Sequence, residues 1–260
     1  MNIKWYGTAA ILLEQDGTRL LFDAFLSRNQ KIYRPSIDEL TGIENILVTH
    51  GHLDHIADIP DIMKHGSGKS FVYCTAAPQG TLIKMGVPET RVHRISPGDA
   101  LRFGPFEVHA LQGKHIVYDK RLFLKTLFNP RVLSYRDSLR VMLNENKICV
   151  EAGETLVYDI SAAEKRILLM GSLNLDKDTR YPQNADLLIF PFQGRSDLDA
   201  YALQFIERLW PRKILLDHFD DTFPPISSTV NPNNFITVVR QKYSGIPVIC
   251  LKEGADWTEV

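Results

Sequence analysis

The sequence predicts an α/β fold, in the broader sense α+β, built as a four-layer sandwich: two mixed β-sheets pack face to face and helices cover their outer surfaces. Two observations support this class. Short apolar runs first pair as hairpins and later alternate with helical patterns, and this succession occurs in both halves of the chain. Because no repeat, low-complexity tract or Gly/Ser-rich linker divides the 260 residues, we predict one domain over 1–260.

The first half is expected to open with a hairpin and to continue with alternating helices and strands. Asp16-Gly17 is a strong signal for the hairpin turn. Residues 46–49 form a short apolar run, which is typical of a strand buried on both faces. The predicted strands are Ala10–Glu14, Thr18–Asp23, Ile46–Thr49, Phe71–Cys74 and Arg91–Ile95, and the helices follow Ile56, Ile59, Ile62 and Met63 and the run Pro78–Met85.

The second half repeats this order, beginning with a hairpin turned at Gly104-Pro105. Its predicted strands are Ala100–Phe103, Phe106–Leu111, Leu139–Leu143, Thr155–Ile160, Arg166–Met170, Asp186–Phe190, Ile214–Leu216 and Val248–Leu251. One helix is expected from about Asp197 to Trp210, and a second ends at about Tyr243 after a start at Asn231-Pro232 with proline in the first helical position. The segment at about 114–138 mixes basic and apolar residues, which predicts an inserted loop or short helix over one face.

Composition excludes several classes of protein. The chain is 44% hydrophobic and 23% charged, which is typical of a soluble globular protein, and its formal net charge of −1 argues against general nucleic-acid binding. Cys74, Cys149 and Cys250 lie in apolar runs and are expected to be reduced core thiols, which favours a cytoplasmic protein. We expect neither a signal peptide nor a membrane span, because the first residues form no apolar core and no apolar stretch approaches spanning length.

The strongest chemical signal is His50-Gly51-His52-Leu53-Asp54-His55, directly after the predicted strand Ile46–Thr49. Imidazole nitrogens and carboxylates are ligands that zinc and similar divalent metals use. A strand that ends in a tight loop can direct several such side chains to one point. The alternative is a polar loop whose histidines serve only structural hydrogen bonds.

This motif resembles the His-x-His-x-Asp-His signature of the metallo-β-lactamase superfamily. Further motifs follow in order over nearly the whole chain, and the short opening at Trp5 and the ending at His218 resemble the branch of ascorbate-6-phosphate lactonases. The resemblance implies the αββα metallo-β-lactamase fold and a metal-dependent hydrolase, with Asp23 supporting the metal loops. The implied metal ligands are His50, His52, Asp54, His55, His115 and His218.

One position departs from the family pattern. Superfamily members usually have Gly-Asp after a strand between the last two histidines, and that aspartate bridges two metals, whereas this chain has Gly171-Ser172. A neutral hydroxyl is a poor metal ligand. Asn174 and Asp176 are the nearby polar substitutes. The sequence therefore leaves open whether one or two metals bind.

The resemblance implies hydrolysis by a metal-bound hydroxide that attacks a carbonyl centre, in an ester or lactone, or a phosphoryl centre. Three histidines (His50, His52 and His115) leave one position of a tetrahedral metal open for water, whose pKa then falls to about 7. If only one metal binds, Asp54 is the candidate catalytic base. Zinc is the expected cofactor, and manganese or iron would also suit these ligands.

The expected substrate is a small molecule. The basic residues of the inserted segment predict an anionic substrate, with Lys114, Lys120 and Arg121 as candidate binding residues. A solvated loop or a contact within a homo-oligomer explains the same segment. Two other functions stay open: a catalytically silent metal-binding or interaction module, motivated by Ser172, and a di-iron redox protein, which would want more carboxylate ligands than this chain offers.

The remaining candidates carry weaker signals. His93 and His109 lie inside predicted strands and are expected to be structural, and His65 is expected to face solvent at the end of a helix. Asp217 and Asp220 flank His218 and are either partners of the metal ligands or exposed loop acids.

Overall fold

A computed structural model describes residues 1–29, 31–66, 68–117, 131–136, 140, 143–144, 149, 153–222, 224–225, 227–254 and 257–260. Within these residues the chain forms two seven-stranded sheets, each of which is mixed. The prediction of two mixed sheets with hairpins first and alternating helices later is confirmed in both halves.

The first sheet has the strand order β14-β1-β2-β3-β4-β5-β6. Neighbours from β14 to β3 are antiparallel, and neighbours from β3 to β6 are parallel. Asp16 and Gly17 turn the β2–β3 hairpin with φ of 49° and 76°, the left-handed conformations that this short turn requires. The strands are β1 Asn2–Trp5, β2 Ile11–Gln15, β3 Thr18–Phe22, β4 Asn45–Leu47, β5 Phe71–Cys74, β6 Val92–Arg94 and β14 Thr258–Glu259.

The second sheet has the order β13-β12-β11-β10-β9-β8-β7, which repeats the pattern of the first. Strands β7 to β10 pair antiparallel, and β10 to β13 pair parallel. The strands are β7 Ala100–Phe103, β8 Phe106–Gln112, β9 Leu156–Ala162, β10 Lys165–Met170, β11 Leu187–Pro191, β12 Ile214–Asp217 and β13 Val248–Cys250.

Helices cover the outer face of each sheet. Buried residues of α2 and α3 pack against the first sheet, and buried residues of α6 and α7 pack against the second. In α6, Ala202, Phe205, Ile206 and Leu209 recur at helical spacing and form the buried stripe. The helices are α1 Ile37–Leu40, α2 Leu53–Ile56, α3 Ile59–His65, α4 Ala76–Lys84, α5 Arg131–Ser134, α6 Leu198–Leu209 and α7 Asn233–Lys242, with a 3₁₀ turn at Glu89–Arg91.

A third apolar layer lies between the sheets. Trp5, Phe22, Phe106 and Tyr158 are fully buried there, with alternate residues of most strands from both sheets. Together with the two layers between sheets and helices, this gives three apolar layers and four layers of secondary structure. The αββα sandwich predicted from the sequence is the observed fold.

Several local predictions were wrong or incomplete. Arg140 and Leu143 are helical, so the strand predicted over 139–143 does not form at its described residues. Pro232 precedes α7 as its N-cap and is not its first helical residue. Cys74 and Cys149 are buried as predicted, whereas Cys250 is exposed, because β13 lies at the edge of its sheet.

The inserted segment is only partly within the described residues. Its helix α5 docks through Arg131, which pairs with Asp221 and donates a hydrogen bond to the carbonyl of Ser227. Lys120 and Arg121 lie outside the described residues. Among the helices that the structure describes, none has both the length and the apolar character needed to cross a bilayer.

Candidate metal centre

Predicted site residues follow five strands that end at the same edge of the sandwich. β3 and β4 are parallel in the first sheet, and β8, β10 and β12 point the same way in the second. In α/β folds ligands bind outside the carboxyl ends of such strands. The residues after these strand ends are Asp23, His50, His115, Ser172 and His218.

His50, His52 and His115 form a first triad. One candidate ligand atom from each lies within 4.8 Å of the others. Nε2 of His50 is 3.1 Å from Nδ1 of His52, and the rings of His52 and His115 are 4.5 Å apart between centroids. The predicted convergence of His115 with the local motif is therefore observed.

The first triad consists of neutral imidazoles. Burial lowers the pKa of His50 well below its ordinary value, and the neighbouring His55 and His52 lower it further. Burial lowers the pKa of His52 to about 4 and also lowers that of His115. Since a metal binds the neutral form of histidine, this donor set fits a divalent transition metal.

Asp54, His55 and His218 form a second triad, whose candidate ligand atoms also lie within 4.8 Å of one another. A carboxylate oxygen of Asp54 is 3.1 Å from Nε2 of His218, and the other is 3.9 Å from Nε2 of His55. Burial alone would lower the pKa of His218, but the hydrogen bond and charge of Asp54 raise it to about 9. His218 is therefore protonated at neutral pH, and its positive charge balances the Asp54 carboxylate at the place where a cation would fit.

Asp23 and Thr49 contact one histidine ring in each triad, His50 in the first and His55 in the second. The carboxylate of Asp23 accepts hydrogen bonds from the Thr49 amide at 2.8 Å and its hydroxyl at 2.7 Å, and pairs with Nδ1 of His55 at 2.9 Å. The Thr49 hydroxyl also lies 3.1 Å from Nδ1 of His50. Partners on the outer nitrogens fix ring orientation. Asp23 therefore makes the contacts that its predicted supporting role requires.

Gly171 and Ser172 bring β10 against this site. A Cβ atom on Gly171 would lie 2.1 Å from Cβ of Thr49, so only glycine permits this approach. Ser172 is 6% exposed and lines the cavity, and its hydroxyl oxygen accepts a hydrogen bond from the Ile116 amide at 2.9 Å. Ser172 thus connects β10 to the loop that carries His115.

Asn174 and Asp176, the suggested substitutes for a bridging carboxylate, are engaged elsewhere. The side-chain amide of Asn174 donates a hydrogen bond to the carbonyl of His115 at 3.0 Å, so it stabilises the loop that carries His115. Asp176 accepts hydrogen bonds from Asp178 and Thr179 in its own turn. Neither side chain lines the cavity, so the structure does not place them with the candidate ligands.

The two acidic residues that flank His218 are buried. Asp217 and Asp220 are each 2% exposed, so the reading of exposed loop acids is wrong for both. His218 has φ of 57° in the left-handed region, and its amide donates to the carbonyl of Thr8 at 2.8 Å. Oδ1 of Asp217 and Nδ1 of His218 are buried without a hydrogen-bond partner among the residues that the structure describes.

The cavity over the two triads has walls that the sequence did not reveal. Its further lining comes from Ile116, Leu173, Pro191, Gln193 and Gly194. Gln193 and Gly194 follow β11, and the only sequence signal for them is their place after a strand that points to the site. Lys114 is exposed and does not line this cavity, and its role in substrate binding stays a prediction.

The other histidines lie outside the cavity. His109 is partly exposed and pairs with Glu107 at 2.9 Å, and His93 stacks on Tyr73 with centroids 5.1 Å apart. His65 is exposed and contacts the carbonyl of Asp61 one turn earlier. All three agree with structural or solvent-facing positions.

Comparison with known proteins finds one matching family model and several similar proteins. Residues 18–136 match the family described as "Beta-lactamase superfamily domain". A protein named metal-dependent hydrolase from Methylocella silvestris is 33% identical over 115 residues, which cover 44% of this chain and 48% of that protein. Another of that name, from Methanopyrus kandleri, is 25% identical over 99% of both chains. In the first three such relatives the match spans about half of their length (48%, 49% and 48%).

A solved structure shares the fold. The metallo hydrolase Igni18 from the archaeon Ignicoccus hospitalis aligns with a TM-score of 0.65 at 16% identity, covering 100% of this chain and 98% of that one. A four-layer αββα sandwich with its His/Asp cluster at the strand ends defines a metallo-β-lactamase fold. The chain therefore has the metallo-β-lactamase fold, and its sequence is similar to that of the β-lactamase superfamily domain and of proteins named metal-dependent hydrolases.

Proposed function

We propose that the protein is a metal-dependent hydrolase acting on a small molecule. The proposal rests on two triads at the same edge of the sandwich. In each triad the candidate ligand atoms lie within 4.8 Å of one another. In this proposal His50, His52 and His115 hold one divalent cation. Asp54, His55 and His218 hold a second. Relatives named metal-dependent hydrolases support the same reading.

A divalent cation bound at such ligands lowers the pKa of water to about 7 and so supplies hydroxide at neutral pH. The protein itself contributes by positioning the groups that bind the cation and accept the proton. Asp23 and Thr49 fix the rings of His50 and His55. When only the first triad is loaded, Asp54 is the group placed to accept a proton from water. An ester, lactone or phosphoryl centre is the proposed target.

Zinc is the proposed cation, because histidine-rich sites with few carboxylates suit it. We expect the first triad to fill first. The three histidines of the first triad are neutral. Cation binding at the second triad requires His218 to lose the proton that its hydrogen bond to Asp54 stabilises. Ser172, in place of a bridging carboxylate, leaves the repulsion between two cations less compensated.

Metal analysis of the freshly purified protein tests the centre. We expect at least one tightly held zinc per chain, lost in His50→Ala and retained in His109→Ala, a matched change at a histidine paired with Glu107 outside the cavity. Ser172→Asp is expected to raise occupancy of the second triad at limiting free zinc. Two tight metals in the wild type with no gain in this variant would show that the bridge is dispensable.

Hydrolysis of esters, lactones and phosphodiesters with added zinc or manganese tests the activity. We expect turnover of at least one class, abolished by His50→Ala and kept by His109→Ala. A protein that binds zinc but hydrolyses none of them would favour the alternative function, a catalytically silent metal-binding or interaction module. The absence of metal binding in the wild type would refute both the hydrolase and the metal-binding module, and would leave only an interaction module.

A further inference from the structure

The loop between β1 and β2 is strained and contacts the segment that carries His218. Thr8 is fully buried and has φ of 48°, in the left-handed region that a β-branched residue rarely adopts. Gly7 before it has φ of 107°. Such a conformation persists only where surrounding contacts fix it, and it often serves a function.

Those contacts run to the loop that follows β12. The carbonyl of Thr8 accepts a hydrogen bond from the His218 amide at 2.8 Å. Its amide donates to both carboxylate oxygens of Asp220, at 2.9 and 3.1 Å. Its hydroxyl donates to the Thr222 hydroxyl at 2.7 Å. Thr8 thus makes hydrogen bonds with every second residue from 218 to 222, the segment that carries the last proposed metal ligand.

Neighbouring residues make this contact close. A Cβ atom on Gly7 would lie 2.9 Å from Oδ2 of Asp220, so the carboxylate approaches where only glycine leaves room. Trp5 donates to the carbonyl of Thr8 at 2.8 Å and stacks on Phe219, with centroids 4.9 Å apart. Phe219, directly before Asp220, is therefore held by the last residue of β1.

We infer that the contacts of Thr8 with His218, Asp220 and Thr222, the Thr8–Asp220 clasp, position His218 for the second cation. Asp220 is a positioning residue in this view and not a ligand. His218 has left-handed backbone of its own, and the clasp fixes that backbone through the hydrogen bond between the His218 amide and the Thr8 carbonyl. The inference rests on the proposed function, since it assigns His218 a cation to bind.

The first triad supplies an internal reference. His50 and His52 belong to the loop after β4 and His115 to the loop after β8, and the clasp hydrogen bonds involve none of them. Loss of the clasp should therefore weaken the second site alone. A general loss of stability would weaken both sites or neither.

Stepwise zinc titration of the metal-free protein against a chromophoric chelator measures this. We expect Asp220→Ala to weaken the second equivalent by about tenfold or more and to leave the first within about twofold. Asp220→Asn removes the same charge but keeps an oxygen for the Thr8 amide, so we expect it to recover most of the affinity. Equal losses in both variants would mean that the carboxylate acts through its charge, and would overturn the clasp.

Thr222→Val tests the clasp without changing any charge. It removes the hydroxyl that accepts from Thr8, whereas Thr237→Val, the control, removes one that donates to the Asn233 carbonyl in α7. We expect only Thr222→Val to weaken the second equivalent. Unchanged binding in both Thr222→Val and Asp220→Ala would overturn the inference.

Hydrogen exchange in the metal-free protein separates this inference from the proposed function. Because the His218 amide is bonded to Thr8, we expect faster exchange of peptides containing 218–222 in Asp220→Ala than in wild type. Unchanged exchange there would overturn the clasp whatever the protein hydrolyses. A wild type that binds no zinc would refute the proposed function, and one that binds a single equivalent even at excess zinc would leave His218 without a cation and overturn the positioning role.

Discussion

Replacement of Ser172 by alanine tests how the loop of His115 is held. The change removes the acceptor of the Ile116 amide, whose residue is 8% exposed. A buried donor left without a partner costs about 1–3 kcal/mol. The hydrogen bond between Asn174 and the His115 carbonyl remains, so we expect the lower half of that range, about 1–2 kcal/mol.

Part of this cost should appear in metal binding, because Ile116 directly follows His115 in the chain. If half of the cost is recovered when the loop relaxes without metal, zinc affinity at the first triad falls by about twofold to fivefold, since 1.4 kcal/mol is tenfold. Unequal partition between stability and binding would shift these figures without changing their direction.

Urea unfolding of the metal-free protein and zinc titration measure the two effects. Ser228→Ala is the matched control, since Ser228 is exposed and surface changes of this kind stay within about 0.5 kcal/mol. If Ser172→Ala equals this control in both measurements, the serine hydroxyl does not hold the loop, and our account of its place in the site is wrong.

Three further outcomes are expected. Gly171→Ala should lower the free energy of unfolding by about 1–3 kcal/mol, because its Cβ would meet Thr49, whereas Gly245→Ala, which meets nothing within 4 Å, should be near neutral in urea unfolding. Affinity of the second triad should rise by at least about tenfold per pH unit from pH 7 towards pH 9, since the pKa of His218 is raised to about 9 and the proton must leave. Burial alone would lower the pKa of His55, but the charges of Asp23 and Asp54 outweigh burial and raise that pKa, so part of a second proton leaves as well. Calorimetry in buffers of different ionisation enthalpy would detect the released protons, and pH-independent binding would contradict the assignment. Chelation should lower the melting temperature, with a loss of about 4 kcal/mol when free zinc had been 1,000 times the dissociation constant, and an unchanged melting curve would argue against a tightly bound ion.

The sequence predicted the fold where local signals and burial agree. Phe71–Cys74 and Ala100–Phe103 were predicted with the observed bounds, because turn residues flank short apolar runs. The run over 139–143 is too short to separate a period of two from a helical period, and Arg140 and Leu143 are helical. The exposure of Cys250 depends on which strand lies at the sheet edge, and no local pattern encodes that order.

The site was predictable where its residues are neighbours in sequence. The motif from His50 to His55 lies in one short segment that runs from the end of β4 into α2, whereas His115 and His218 required a family resemblance to connect them. Contacts between distant loops left no signal: Thr8 and Asp220 are 212 positions apart, and each alone looks like an ordinary turn residue. Gln193 likewise lacked any feature beyond its place after a strand.

The two triads are divided between the sheets. Each takes two residues from the segment after β4 in the first sheet, which includes α2, and one residue that follows a strand of the second sheet, His115 or His218. A bound ion is therefore a cross-link between the two halves of the sandwich, and it closes long stretches of chain much as a disulfide would. Separating the sheets requires breaking metal–ligand bonds, so metal loading should slow unfolding more than it speeds folding. The metal content of a molecule would then govern its lifetime against proteolysis and heat.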